Sequence, residues 1–388
     1  MTTGTILHVN AVGLMAAIEE NLDLGLRGRP FVVANGAAPR AVVLDLSPPA
    51  HREGLRRGMP LSLARNLVPE LEVRSPRPDL YRLAEERLWR IGLEHTPLVE
   101  RSGAGHLFVD LAGTSRLHGP PVDATQKLRK RILEEMGLKP ALALSSNKTT
   151  CKVATRIFRP NGFVALSPNE EGPLVRRQPA GLLPGVGPVL MGRFALLGIE
   201  EIGDIADLAE GEARAIGPKG PELVARARCI DSSPVDPEPI ERRSAAGELV
   251  FEPDTADPEV LRLRLAALVA EIAFGLRRGG MGVRRAGVEL SYTDGPRGSG
   301  SVRGSRLLSR DDEILRLALA ALERARKRRV RIRRIRLELS DPASAGPELD
   351  LFEPEDLRLT RLQAALDKVR GKFGPTAIAP CALLALGG

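Results

Sequence analysis

Ile6-Leu7-His8-Val9 and the run from Gly105 to Leu111, Gly105-His106-Leu107-Phe108-Val109-Asp110-Leu111, decide the fold. Each is a short apolar run that reads as a strand, and the first is followed by a helix-like stretch from Leu14 to Glu20. Working outward, Pro30-Phe31-Val32-Val33-Ala34 and Ala41-Val42-Val43-Leu44 read as further strands. Tyr81 to Leu93 carries Leu83, Leu88 and Ile91 among Arg and Glu, the spacing of an amphipathic helix. A helix at Asp123 to Met136, a strand at Ala141 to Ser145 and a helix from Asn147 to Ile157 follow, closed by Arg159-Pro160-Asn161-Gly162. Strands alternating with helices make this portion α/β.

The next portion is short and helical. Leu183-Pro184-Gly185-Val186-Gly187 introduces Pro188 to Leu197, and Ile202 to Leu208 completes a helical hairpin. A second such unit surrounds Ile216-Gly217-Pro218-Lys219-Gly220. Gly185, Gly187 and Lys219 are the candidate phosphate contacts here, because glycine turns bring backbone N–H groups close and helix N-termini favour negative charge. Ser232-Ser233-Pro234-Val235-Asp236-Pro237-Glu238-Pro239 then reads as a linker. Beyond it the order is strand 246–251, helix 258–278, strands 283–292 and 298–306, helix 311–326 and strand 330–339, an α+β arrangement with one antiparallel sheet and its helices on one face.

The 388 residues favour two to four domains, and an apolar fraction of 43% is ordinary for a globular protein. No stretch approaches the roughly 20 apolar residues that span a bilayer, and Met1-Thr2-Thr3-Gly4-Thr5 is no secretory leader, so a cytoplasmic location is expected. Cys151, Cys229 and Cys381 are too few and too scattered for a disulfide framework or a zinc site, and neither a metal nor another cofactor is expected. A net charge of +8 favours a polyanionic partner. The densest positive run includes Arg324, Lys327, Arg329, Arg331, Arg333 and Arg336; its partial alternation with Val330, Ile332, Ile335 and Leu337 suits a sheet that buries one side and offers guanidinium groups to DNA on the other.

The order of Ile6-Leu7-His8-Val9, Arg27-Gly28-Arg29-Pro30, Gly58-Met59-Pro60, Thr96-Pro97-Leu98-Val99-Glu100, Phe108-Val109-Asp110, Ser146-Asn147-Lys148 and Arg159-Pro160-Asn161-Gly162 resembles the Y-family translesion DNA polymerases over nearly the whole chain. That resemblance implies a right-hand architecture: palm at 1–20 and 75–165, fingers at 21–74, helix-hairpin-helix thumb at 166–232, linker at 233–241, little finger at 242–340 and a tail at 341–388.

In that family, carboxylates hold two divalent metals that align primer and nucleotide. The first family aspartate falls on Asn10 and its neighbour on Val12, while the paired Asp-Glu falls on Gly105-His106. The aromatic steric gate falls on Met15, and the Tyr-Glu-Ala-Arg stretch on Pro48, Pro49, Ala50 and His51; Lys152 lies near the family's phosphate-contacting lysine. An amide, a bare glycine and an imidazole are poor magnesium ligands. The pattern resembles a catalytically inactive, ImuB-like member, which implies a non-enzymatic accessory role bridging primer–template DNA, the sliding clamp, an error-prone polymerase and an ImuA-type partner. Glu348-Leu349-Asp350-Leu351-Phe352 resembles the clamp-binding peptide Gln-Leu-x-Leu-Phe. The alternatives are a plain structural DNA-binding protein or an active polymerase with displaced ligands, for which Asp45, Glu100 or Asp110 would have to approach the cluster. Asp110, five residues beyond Gly105, lies roughly 16 Å along the strand.

Overall fold

The computed structural model describes residues 4–36, 41–237, 244–344, 357–374 and 377–378. The chain divides into two compact units, Met1–Pro239 and Ile240–Gly388.

Unit 1 begins with β1 (Ile6–Asn10), α1 (Leu14–Leu22), β2 (Phe31–Ala34), β3 (Val43–Leu46), α2 (Pro48–Arg52), α3 (Leu61–Leu67) and β4 (Glu72–Arg74). It continues with α4 (Pro78–Leu93), β5 (Val99–Arg101), β6 (His106–Asp110), α5 (Ser115–His118), α6 (Pro121–Met136), β7 (Ala141–Ser145), α7 (Lys148–Ile157) and β8 (Phe163–Ala165). The main sheet has the order β5-β6-β1-β7-β8, so the first strand of the chain sits at its centre. It pairs antiparallel with both neighbours, Asn10 opposite His106 on one side and Ala141 on the other. Because side chains alternate along a strand, Leu7, Val9, Leu107, Val109, Leu142 and Leu144 share one face and pack with Leu88, Ile91, Leu128 and Ile132 of α4 and α6. His8, Asn10, His106 and Phe108 are left on the other face, against which α7 packs.

The smaller sheet, β3-β2-β4, joins α1 through one buried side chain. Helix α1 starts after Gly13, which sits at φ 65° and supplies no side-chain cap. Asp45 of β3 does so instead: its Oδ2 accepts from Met15 N at 3.0 Å and Ala16 N at 3.3 Å, while its Oδ1 accepts from Arg57 Nη2 at 2.6 Å. The first turn of α1 therefore gets its anion from a strand 30 residues away.

Unit 1 ends in α8 (Pro168–Arg176), α9 (Pro188–Leu197), α10 (Ile202–Asp207), α11 (Glu210–Ile216) and α12 (Gly220–Ala227), packed around Leu183, Phe194, Ile202, Ile205 and Leu223. The proline-rich stretch departs from a free linker at its start. Val235 is buried against Phe108 and Cys151, Lys148 Nζ donates to Pro234 O at 2.7 Å, and Asp236 N donates to Glu100 Oε2 at 2.9 Å. An apolar valine beside two prolines has a partner that composition does not reveal.

Unit 2 contains β9 (Ser244–Thr255), α13 (Pro258–Arg278), β10 (Met281–Tyr292), β11 (Arg297–Leu308), α14 (Asp311–Ala325), β12 (Ile332–Ser344) and α15 (Leu357–Phe373). Its sheet, β11-β10-β12-β9, is antiparallel throughout, with α13 and α14 over one face. Helix α14 lies directly on β11 because Gly298 and Gly300 have no side chains: a Cβ on Gly300 would fall 2.4 Å from Ala321 O. Helix α15 is pinned to the same unit by ions, with Arg277 Nε donating to Asp367 Oδ2 at 2.6 Å and Arg370 Nη1 to Asp311 Oδ2 at 2.7 Å.

Candidate functional site

The β1–β6 face holds a strip of rings. His8 and His106 stack with centroids 5.3 Å apart, and His8 lies 4.6 Å from Phe108. His8 is wholly buried; its Nδ1 is 2.7 Å from Thr155 Oγ1, and its Nε2 is 3.2 Å from His106 Nδ1. Burial, then the neighbouring His106, Lys152, Arg156 and Arg159, pushes the His8 pKa well below the usual imidazole value. Burial does the same to His106, reinforced by the charges of Lys152, Arg159, Arg156 and Arg57, and takes it down to about 4. Both rings are thus neutral at pH 7.

Asn10 stands opposite His106 in the register and is 1% exposed; its Nδ2 has no hydrogen-bond partner among the described residues. Gly105 has φ +72°, and a Cβ there would lie 2.8 Å from Ala11 O, so the present backbone has no room for an aspartate at this position. Above the strip, Lys148 Nζ and Lys152 Nζ lie 5.6 and 5.8 Å from the Phe108 ring centroid. Lys152 also donates to Ser102 Oγ at 3.2 Å, and burial lowers its pKa.

The acids named as replacements for the missing carboxylates are mostly engaged. Asp45 caps α1 and pairs with Arg57, and Glu100 Oε2 is 2.8 Å from Lys148 Nζ. Asp110 shares the face of His106, at the other end of β6 opposite Ile6, roughly 13 Å along the strand, and its Oδ1 accepts from Ala112 N at 2.9 Å. Among the described residues no group of three or more His, Cys, Asp or Glu is placed to hold a metal ion. The donor set around Asn10, Gly105 and His106 does not fit the divalent cations that the fold family implies.

The expected DNA contacts fall in two places. Gly185, at φ +101°, has Leu223 Cδ2 3.0 Å from where a Cβ would be; Gly187 caps α9, and Lys219 caps α12. In unit 2, Arg324 lies in the last turn of α14 and donates to Ser301 O at 2.9 Å. Lys327, Arg329 and Arg331 are exposed between α14 and β12. A register shift at the start of β12 interrupts the simple alternation: Ile332, Ile335, Leu337 and Leu339 are fully buried, while Arg333 and Arg336 are exposed. The structure does not gather the arginines into one stripe. The cross-strand register instead puts Arg336 beside Arg334, Arg285, Arg303 and Arg297 on the uncovered face, interspersed with Glu289 and Glu248. Sequence reasoning left out Arg285, Arg297 and Arg303; the period-two pattern of β10 and β11 carried the signal. Residues 348–352 lie outside the described residues.

A five-stranded sheet with helices, a helical hairpin unit, and a four-stranded antiparallel sheet with two helices on one face define the right-hand fold of the Y-family DNA polymerases. Solved structures agree in fold: a Y-family DNA polymerase chimera of Dbh and Dpo4 matches at a TM-score of 0.78 and 23% identity, covering 87% of this chain and 98% of that one. DinB from Sulfolobus solfataricus matches at 0.60 and 22%, covering 86% and 98%.

The chain belongs to the impB/mucB/samB family: residues 13–156 match the family itself and 242–351 its C-terminal domain. It is 32% identical to DNA polymerase IV of Moorella thermoacetica, over 96% of this chain and 94% of that protein. It is 31% identical to DNA polymerase IV of Halorhodospira halophila, over 91% and 99%. These relatives overturn the expectation of a non-enzymatic accessory protein, since the proteins it resembles end to end are DNA polymerases. That expectation rested on Asn10, Gly105 and His106 alone and gave no weight to the rest of the chain, which matches those polymerases over more than nine-tenths of its length.

No helix among the described residues is long and apolar enough to cross a membrane.

Proposed function

We propose that this protein binds primer–template DNA and carries out translesion DNA synthesis, as a Y-family polymerase whose acidic groups lie off the usual strand positions. The observation that carries the reading is end-to-end likeness to DNA polymerase IV at about a third identity. The acids on the face of the candidate site are Asp110 and Glu100, the latter paired with Lys148. Primer extension on an undamaged and on a lesion-bearing template, with magnesium or manganese, tests it: extension is expected, and its complete absence in protein that binds the same duplex overturns the synthesis reading.

The DNA contacts we assign are, within unit 2, the arginines of the uncovered face and of the segment leading into β12 and, separately within unit 1, the glycine turns before α9 and α12. Arg331→Ala, Arg333→Ala and Arg336→Ala together are expected to weaken duplex binding and make log Kd less steep in log salt by about one unit for each phosphate that is no longer neutralised. An unchanged salt slope in a fluorescence-anisotropy titration moves the surface elsewhere.

We also assign the sliding clamp as a partner through Glu348, Leu349, Asp350, Leu351 and Phe352, with Leu351 and Phe352 as apolar anchors. Truncating both anchors to Ala is expected to abolish clamp binding and leave DNA affinity within about twofold. Equal loss of both activities sinks the assignment.

A further inference from the structure

We infer that an apolar stripe along helix α15 is covered by the chain's own residues 379–388, which fold back along the helix. The inference concerns unit 2 alone and holds whether or not the protein extends a primer.

Helix α15 is anchored by polar groups. Arg370 and Gln363 are its buried side chains; Arg370 Nη1 donates to Asp311 Oδ2 at 2.7 Å, and Gln363 Oε1 accepts from Asp311 N at 3.1 Å. Asp367, on the same side of the helix, accepts from Arg277. Among the described residues no apolar side chain of α15 joins the core of unit 2. Leu362, Leu366, Val369 and Phe373 instead recur at i, i+4, i+7 and i+11, which at 3.6 residues per turn makes one narrow stripe about a quarter turn from the anchored side. Leu362 is 53% exposed and Phe373 67%, with Leu366 and Val369 half-buried between them. Desolvation offsets much of what such ion pairs gain, and a helix of 17 residues is marginal until it buries an apolar face.

Three observations point to the tail as the occupant. Gly374, at φ +101°, ends the helix with its N donating to Arg370 O at 2.9 Å; Ala377 N then donates to Gly374 O at 3.2 Å, so the chain turns on leaving α15, and Ile378 just beyond is half-buried. The segment that follows, Ala379-Pro380-Cys381-Ala382-Leu383-Leu384-Ala385-Leu386, has three leucines and no charge. Its length suffices: Leu362 to Phe373 covers about 16 Å of helix axis, while Ile378 to Leu386 spans about 12 Å as a helix and up to about 26 Å extended. Lastly, the far side of the stripe is bordered by the exposed Arg358, Arg361, Lys368 and Lys372. Pairing with a second copy of α15 would set two such basic rows against each other, an opposition that an uncharged tail does not meet.

Cys381 lies in the tail and reports its docking. Maleimide labelling of the full chain, read peptide by peptide in a mass spectrometer, separates it from the buried Cys151 and the half-buried Cys229. Cys381 is expected to label about tenfold or more slowly than in a synthetic peptide of residues 375–388, and the amides of 382–386 to exchange with deuterium more slowly by a similar factor. Leu362→Asp with Phe373→Asp is expected to return both rates to within about twofold of the peptide. Both side chains are mostly exposed, so the pair leaves the core of unit 2 in place, and a melting curve confirms it. Leu383→Asp with Leu384→Asp makes the same test from the tail and leaves α15 untouched. Peptide-like rates in wild type, or protection that survives both pairs of changes, overturn the inference. Light scattering behind size-exclusion chromatography reads the competing occupant: a monomer with a protected tail supports the inference, and a dimer with an unprotected tail that Leu362→Asp and Phe373→Asp dissociate gives the stripe to a second copy and overturns it.

Discussion

Gly300→Val destabilises unit 2 by about 3 kcal/mol or more, the upper range for overpacking a core, and lowers its melting temperature by about 10 °C. The cause is steric. A Cβ on Gly300 falls 2.4 Å from Ala321 O and 2.6 Å from Ala325 N, both backbone atoms that no rotamer change can move. Helix α14 cannot retreat cheaply, because Ile314, Ala318 and Ala321 are packed in the core beneath it. Ser301→Val provides the comparison: Ser301 is exposed on the opposite face of the same strand, and the change there is expected to cost less than about 0.5 kcal/mol. Thermal melting followed by circular dichroism reads both. A Gly300→Val protein that melts within about 2 °C of wild type disproves the close approach of α14 to β11.

Asp45→Ala is the second large effect, expected to cost about 3 kcal/mol in unit 1. The carboxylate is 1% exposed, and its removal strands two N–H groups at the start of α1 together with the Arg57 guanidinium. Loss of a cap costs roughly 1 to 2 kcal/mol, and loss of charge-assisted bonds from a buried acceptor adds a comparable amount. The 57% exposure of the Arg57 side chain keeps the total below that of a fully buried pair, since water recovers part of the charge. Trp89, the single tryptophan, is on α4 in unit 1, so its fluorescence in a urea titration reports that unit. Asp45→Asn, which keeps an acceptor oxygen, is expected to recover about half of the loss. Coincident urea midpoints for wild type and Asp45→Ala would show that α1 does not depend on this cap.

Local pattern made much of the architecture legible. The apolar runs at Ile6 and Leu107, the 3.6-residue rhythm of Tyr81 to Leu93, and the strand–helix order after residue 244 depend on neighbours close in sequence, and each appears as an element. Pairings across long separations were not legible. Asp45 looked like one more candidate ligand, and only the fold shows it holding α1. Val235 looked like linker because its burial partners, Phe108 and Cys151, are distant in sequence. At the candidate site the missing carboxylates were plain to read, but the orphaned amide of Asn10 and the crowding at Gly105 required coordinates.

The long outer strand β11 has a consequence for how copies of the protein behave together. Among the described residues it is bonded only to β10, so one side of its backbone offers N–H and C=O groups that another chain could zip onto. Its exposed charged side chains, Arg297, Arg303 and Arg306, are each paired with an acid of the same unit, Glu289, Asp341 and Glu313, and such charged groups along an edge hinder a second chain from pairing there. At the opposite rim, β9 contains Pro253, which has no N–H to donate to a new neighbour. Both borders of this sheet therefore carry features that oppose edge-to-edge pairing between copies.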